Sequence, residues 1–375
     1  MTPIRVQIVD PSAFTPPYDH ALAAALALAG ARVELVTSEF AYGSVSAADG
    51  YEVRRSFYRH AVGAPGSRVR RATKLLEHVP DMLRYRRLAR SADIAHFQWL
   101  DVQWLDGWLL PRGRTVLTAH DLLPREPRPG QAHAQRRLYE AVDAVVVHSE
   151  YGRRQLVDGL SLDPAKVHVI RHGAFVHLTR LPGELPLSHD LAAVELPVVL
   201  FFGLLRPYKG IETLLAAWRD VHDAELWIVG RPRMPLEPLR ALAGRGVRFV
   251  SRFVPDAELA AFFRRADVVV LPYTRTERFD FSGVLATALA FGKPTVLSDI
   301  GGFGELAATG AARLVPPEDP GALAGAISDL LRDSHARAEL AQAAARAAAG
   351  PYSWEAAAER TLALYRSLVS HNPPP

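Results

Sequence analysis

The sequence predicts an α/β protein of two doubly wound domains, each a parallel sheet covered by helices. Three observations carry this prediction. Short β-branched runs alternate with helical stretches along most of the chain, and the alternation breaks once, at a proline-rich segment. At 375 residues with 49% hydrophobic content, the chain also exceeds what one hydrophobic core usually organises. A mean hydropathy of +0.02 is that of globular domains rather than of a disordered chain.

In chain order, "IRVQIVD" (4–10) reads as a strand, "ALAAALALAG" as a helix closed by Gly30, and "ARVELVTS" (31–38) as a second strand. The apolar stretch from Ala21 to Ala31 is too short to cross a bilayer. Asp10 and Asp19 stand where a signal peptide carries positive charge, so the stretch reads as a buried helix. Strands follow at 92–99, 115–121, 143–149 and 166–173, with helical material between most of them. Segment 175–197 carries Pro182, Pro186 and Pro197 with weak periodicity and reads as a linker. The pattern restarts with strands at 198–203, 224–230, 247–253, 267–273, 294–300 and 312–317, and from Pro320 the chain is Ala-rich and helical. The expected division is 1–180, 181–350, and a C-terminal helix in 351–375 that crosses back to the first domain, with a frayed tail at Asn372–Pro375. Two such domains facing across a deep cleft bind ligands at the carboxyl ends of their strands, and domain opening and closing is expected.

The chain has no cysteine, which excludes a disulfide framework, a thiolate zinc site and a cysteine nucleophile, and fits a reducing, cytoplasmic setting. The formal charge of +4 is concentrated. Between Arg54 and Arg90 lie Arg55, Arg59, Arg68, Arg70, Arg71, Lys74, Arg84, Arg86 and Arg87, against Glu52, Glu77 and Asp81. This run reads as a solvated helical face, or as a patch for an anionic acceptor or an anionic membrane at its inner face, with Leu75, Leu76, Val79, Met82 and Leu83 adding apolar contact. Nucleic acid is disfavoured, because no aromatic residues are interleaved with the charges for stacking.

The second domain carries the sharper chemistry. Strand 198–203 runs into "GLLRPYKGIETLL", where Gly203 permits close approach of a ligand and Arg206 and Lys209 occupy the turn before a helix. Cations beside a helix N-terminus suit a diphosphate. A second helix starts near Ser282 with Gly283, and no acid stands in its first turn, so its N–H groups can hold an anion. The plain alternative is a helix kept small for packing; Gly292 and Pro294, which end it, fit that alternative, while Ser282–Gly283 at its start is not required by it.

The strings "FFGLLRPYKGIETLLAAW", "AELWIVG", "RFVSRFVPDAELAAFFRRADVVVLPY", "SGVLATALAFGKPTVLSDIGGFGEL" and "YSWE" together resemble the nucleotide-binding half of family 4 retaining glycosyltransferases, which have the GT-B fold. In the first domain "VLTAHDLLP", "DAVVVHSEYGRRQL" and "KVHVIRHG" are similar to the family's elements, while "DPSAFTPPYDHAL" stands where a glycine-rich loop is common.

The resemblance implies metal-independent transfer of a sugar, with retention, from a nucleotide-diphosphate sugar, UDP- or GDP-linked, to an unknown lipid, glycan or small-molecule acceptor. No cofactor is implied. By the family pattern Arg206 and Lys209 neutralise the leaving diphosphate, and His120 is the active-site histidine at the donor sugar. The donor is expected to contact Gly203, Ser282, Gly283 and Val284. Two family glutamates are replaced by Phe279 and Thr287. Thr287 can still bond a hydroxyl, and Glu277 or Asp280 can face the sugar instead. Arg231, Phe253 and Val254 are placed for the base, and Tyr18, Trp99 and Trp104 for the acceptor. His96, His148 and His172 lack metal-ligand spacing and read as cleft-lining or structural.

The competing reading is a non-catalytic module of the same fold that binds a sugar nucleotide or a partner protein. An epimerase or phosphorylase would need other acids or a pyridoxal lysine. A dinucleotide dehydrogenase fails for want of G-x-G-x-x-G after the first strand.

Overall fold

The computed structural model describes residues 3–43, 45, 48–124 and 129–370. The tail Asn372–Pro375 lies outside them. The chain forms two compact units.

The first unit comprises Met1–His172, Arg278–Asp280 and Trp354–Pro375. Its strands are β1 (Arg5–Asp10), β2 (Arg32–Thr37), β3 (Glu52–Arg55), β4 (Ile94–Phe97), β5 (Arg114–Thr118), β6 (Ala144–Val147) and β7 (Val167–Val169). They pair in parallel in the order β3-β2-β1-β4-β5-β6-β7, with Val6 opposite both Val33 and Ile94. Near-continuous Val and Ile runs suit strands covered on both faces, and Val9, Val36, Phe97, Leu117, Val145 and Val147 are buried with Phe57, Met82, Tyr85 and Tyr139. The edge strand β3 was not expected. Its sequence Glu-Val-Arg-Arg is mostly exposed and carries no apolar period, and it forms by pairing with β2 through Val53 opposite Leu35.

The helix Pro16–Leu28 begins with prolines in its first turn, where a missing N–H costs nothing. Against it packs the helix Trp354–Ser370. Tyr365 of that helix bonds His96 Nδ1 through its hydroxyl at 2.6 Å, and Arg114 Nε donates to the Leu368 carbonyl at 2.8 Å. A short strap, Arg278–Asp280, completes the unit. Leu122 N donates to the Arg278 carbonyl at 3.0 Å, and Phe279 bridges Asp121. The Asp280 carboxylate accepts from His148 N at 2.5 Å and from Ser149 Oγ. Gly152 gives the strap room, since a Cβ there would stand 2.8 Å from Asp280 Oδ1.

The second unit comprises Gly173–Glu277 and Phe281–Ser353. Its strands are β8 (Val198–Phe202), β9 (Glu225–Val229), β10 (Val247–Val250), β11 (Val268–Leu271), β12 (Thr295–Ser298) and β13 (Arg313–Val315). They are parallel in the order β10-β9-β8-β11-β12-β13. Within segment 175–197 lie a 3₁₀ turn, Val176–Arg180, and a short helix, His189–Ala192. The core gathers Val199, Phe201, Ile211, Leu214, Leu226, Ile228, Val270 and Ile327.

In each sheet the strand order reverses at one place, between β1 and β4 in the first and between β8 and β11 in the second. A crevice opens there at the carboxyl ends of the strands, because the connections on either side leave toward opposite faces.

Candidate active site

At the reversal point of the second unit, β8 is followed by Gly203, which holds φ +115°. A Cβ there would meet Val284 Cγ2 at 3.0 Å, so the turn passes close to the helix Gly283–Ala290. Residues Pro207–Lys209 form a 3₁₀ turn that ends on Gly210 at φ +68°, where a Cβ would stand 1.8 Å from the Pro272 carbonyl oxygen. Only glycine fits such an approach of backbone to backbone.

This geometry turns the Lys209 side chain inward. It is 6% exposed, and its Nζ lies 4.1 Å from the Tyr273 ring centroid and donates to the Tyr273 hydroxyl. The same hydroxyl meets Ser282 Oγ at 3.0 Å. Ser282 therefore spends its hydroxyl on Tyr273 and not on capping, and the first turn of the following helix contains no acid. A buried ammonium and an uncapped helix start together make the crevice electropositive. Arg206 is half-buried at the head of the same turn.

The other expected donor residues are placed less uniformly. Gly283 is exposed and Val284 half-buried, both at the helix start. Thr287 is 5% exposed and its hydroxyl donates back to the Gly283 carbonyl at 2.9 Å. Arg231 is half-buried after β9, and its carbonyl accepts from Leu205 N at 3.0 Å. Phe253 is 40% exposed and Val254 buried, both after β10. Glu277 is exposed, whereas Asp280 is fully buried in the strap of the first unit and Phe279 beside it is buried too.

The reversal point of the first unit is built differently. Asp10, at the end of β1, accepts from Ser12 N, Phe14 N and Thr15 N at 3.2, 2.5 and 3.1 Å, so one carboxyl folds the loop "DPSAFTPPYDHAL". Burial pushes the Asp10 carboxyl up to about 6, and burial with the Asp10 charge raises Asp19 as well. Above the loop lies a cavity of about 260 Å³ whose lining includes Phe14, Gln98, Trp99, Asp101, His120 and Gln135. Trp99 stacks on His120 with ring centroids 5.0 Å apart, contacts Phe14 at 4.5 Å and donates from Nε1 to Thr15 Oγ1 at 2.9 Å.

His120 is the centre of an imidazole and aromatic cluster. Its Nε2 meets Gln98 Oε1 at 3.2 Å and its Nδ1 meets His148 Nε2 at 3.4 Å. The Tyr18 ring stands edge-on to His120 at 4.6 Å and packs on His148, His172 and Trp354. Burial lowers His148 to about 4, so at neutral pH it is uncharged. His96 lies buried within β4, bonded to Tyr365 and Thr118 Oγ1.

Tyr18, Trp99 and His120 are thus brought together. Trp104 is not with them, since it sits 54% exposed on the helix Gln103–Leu109, its ring against Gly130. Residues not singled out from the sequence are Phe14, Gln98 and Tyr273; a residue directly after a strand, as Gln98 is after β4, was the available signal. Among the described residues no cluster of histidine and carboxylate side chains is arranged to hold a metal ion.

Two family models match the chain, "Glycosyltransferase Family 4" over residues 18–175 and "Glycosyl transferases group 1" over residues 196–333. The chain belongs to the family 4 glycosyltransferases. It is 30% identical over 325 residues to the D-inositol 3-phosphate glycosyltransferase of Kineococcus radiotolerans, covering 76% of this chain and 73% of that one. Among solved structures it resembles sucrose-phosphate synthase from Thermosynechococcus elongatus, with TM-score 0.75, 21% identity, and 98% and 100% of the two chains covered. It also resembles the Anabaena protein HepE in complex with UDP and glucose, with TM-score 0.74, 18% identity, and 97% and 100% covered. The two doubly wound units are those of the GT-B fold. As a member of the family, this glycosyltransferase takes its sugar from a nucleotide-diphosphate-sugar donor.

Proposed function

We propose that this glycosyltransferase transfers a sugar from a UDP-sugar with retention of anomeric configuration, holding the diphosphate at the reversal point of the second unit. The observation that carries the reading is the buried Lys209, fixed by Tyr273 beside the bare start of the helix Gly283–Ala290. As the bond from the anomeric carbon to the diphosphate oxygen breaks, negative charge grows on that oxygen. A preorganised ammonium with Arg206 stabilises it without reorganising at the moment of reaction. The UDP held by HepE supports uridine over guanosine.

In this reading His120 meets a hydroxyl of the donor sugar. Gly203, Ser282, Gly283 and Val284 line the diphosphate, while Arg231, Phe253 and Val254 lie at the base. Glu277 is the acid proposed to meet the sugar, because both carboxylate oxygens of Asp280 already accept bonds from the loop after β6. The acceptor occupies the cavity walled by Trp99 and Phe14, with Tyr18 behind it, and its hydroxyl attacks on the face the diphosphate leaves, passing its proton to the departing diphosphate oxygen.

A membrane-borne acceptor has its own support. On the helix Arg68–Leu88, Val69, Leu76 and Leu83 recur every seven residues and are 58%, 78% and 43% exposed, flanked by Arg84 and Arg87. No described helix is long and apolar enough to cross a membrane. An apolar stripe turned to solvent among arginines suits an anionic surface.

The test is incubation with UDP-, GDP-, ADP- and dTDP-sugars and a panel of acceptors, with proton NMR of the anomeric signal. Product of unchanged configuration from a UDP-sugar alone supports the reading. An inverted product, or preference for another base, overturns it.

A further inference from the structure

The proton positions around His120 follow from what its neighbours can do. Ile170 begins the chain after β7, and its carbonyl oxygen, which can only accept, lies 2.9 Å from His148 Nδ1. His148 Nδ1 therefore carries a hydrogen and donates it. His148 is fully buried and uncharged at neutral pH, its tendency to protonate suppressed by burial. A neutral imidazole with hydrogen on Nδ1 presents a lone pair at Nε2. That lone pair faces His120 Nδ1 at 3.4 Å. Two lone pairs at this distance would repel, so the contact holds only if His120 bears a hydrogen on Nδ1.

This conclusion does not depend on the other edge of the ring. His120 Nε2 faces the Gln98 carboxamide at 3.2 Å, and Gln98 lines the cavity. An amide offers oxygen or nitrogen after a half-turn, so Gln98 accepts from a charged His120 and donates to a neutral one. The ring itself is held by Trp99 stacked at an interplanar angle of 13° and by Tyr18 standing at 90° to it.

We infer that His148 is a positioning residue that fixes the ring hydrogen of His120 on Nδ1 and leaves Nε2 as the nitrogen that works on the substrate. In the free imidazole the hydrogen prefers Nε2, which would offer a substrate hydroxyl a donor. The relay Ile170–His148–His120 reverses this, so that neutral His120 keeps a lone pair on Nε2, held by the Gln98 amide until a substrate hydroxyl takes its place. The importance for turnover rests on the role proposed for His120, while the position of the hydrogen does not.

The experiment is long-range proton–nitrogen correlation NMR on the full-length enzyme labelled with ¹⁵N-histidine, recorded at about pH 8 without substrate, with His120 assigned from a His120→Asn variant. The expected wild-type pattern for His120 is hydrogen on Nδ1. In His148→Met, which keeps bulk and leaves only a weak thioether acceptor, the pattern moves toward Nε2 and kcat falls about tenfold to hundredfold with donor KM changed less than about twofold. In His148→Gln, whose carbonyl reaches the same place as the lost Nε2, both the pattern and most of kcat return.

Hydrogen on Nε2 alone in the wild-type enzyme overturns the inference, and that spectrum decides even if the variants fail to fold. Equal patterns and equal kcat in His148→Met and His148→Gln overturn it as well. A pattern that moves in His148→Met and returns in His148→Gln, with kcat unchanged in both, keeps the relay and instead counts against the role proposed for His120.

Discussion

The two reversal points do similar topological work with opposite materials. That of the second unit is made of backbone: Gly203 and Gly210 in left-handed conformations, an uncapped helix start, and one buried lysine. That of the first unit is made of side chains, among them three histidines, Tyr18, Trp99, Gln98 and a carboxyl that ties down a proline-flanked loop. A diphosphate looks much the same on every nucleotide sugar, and a backbone cradle with fixed charge suits a constant ligand. An acceptor differs from enzyme to enzyme, and side chains can change without altering the sheet beneath them.

The contrast predicts that changes in the second unit cost more, and differently. Gly210→Ala places a Cβ where 1.8 Å separates it from the Pro272 oxygen, and a loss of about 2–4 kcal/mol is expected in chemical denaturation. A variant as stable as wild type would mean that the turn is not backbone-limited. Lys209→Met should lower kcat about a hundredfold or more and leave the fold in place, as steady-state kinetics and circular dichroism would read. Near-normal turnover would remove the charge from the account of the leaving group.

At the cavity wall of the first unit the effect is smaller and falls mainly on the acceptor. Trp99→Leu should raise acceptor KM about threefold to tenfold, the worth of one aromatic stacking contact, and also lower kcat, because the same indole holds the His120 ring. A change in donor KM alone would reassign the cavity.

The smallest effect concerns Asp10 and Asp19. Both carboxyls titrate higher folded than unfolded, so the folded protein holds the extra proton. Their contribution to stability is full below about pH 4 and is lost as pH rises through about 6 and beyond. Asp19→Asn supplies a permanent donor to Asp10. The melting temperature at pH 8 should rise by about 2–4 °C, and the decline from pH 5 to pH 8 should flatten. An unchanged slope would show that the pair is already charged and solvated.

What could be read from the sequence follows the same division. Runs such as "VVLFF" and "AVVV" declare buried parallel strands, and the glycine turn with Arg206 and Lys209 after one of them is legible as a turn at a strand end, because every part is contiguous. The first unit's site joins residues 18, 98, 99, 120, 148 and 354, and no local pattern records that they meet. His148 looked like any histidine at a strand end until its ring was placed between a carbonyl and another imidazole. The strand β3 was missed for a similar reason, since Glu-Val-Arg-Arg becomes a strand only beside β2. The strap Arg278–Asp280 is three residues long, too short to carry any period.

The make-up of the first unit bears on how the chain matures during synthesis. Until residues 354–370 leave the ribosome, Tyr365 cannot bond His96 and the helix Pro16–Leu28 lacks its packing partner. Before that, the apolar face that awaits Ala357, Ala358, Leu362 and Leu364 stays uncovered. The second unit, drawn from one stretch apart from the strap, has all its strands by Val315 and can consolidate earlier. The order of folding is then the reverse of the order of translation, and nascent chains stalled before residue 354 should expose a protease-sensitive first unit beside a resistant second one.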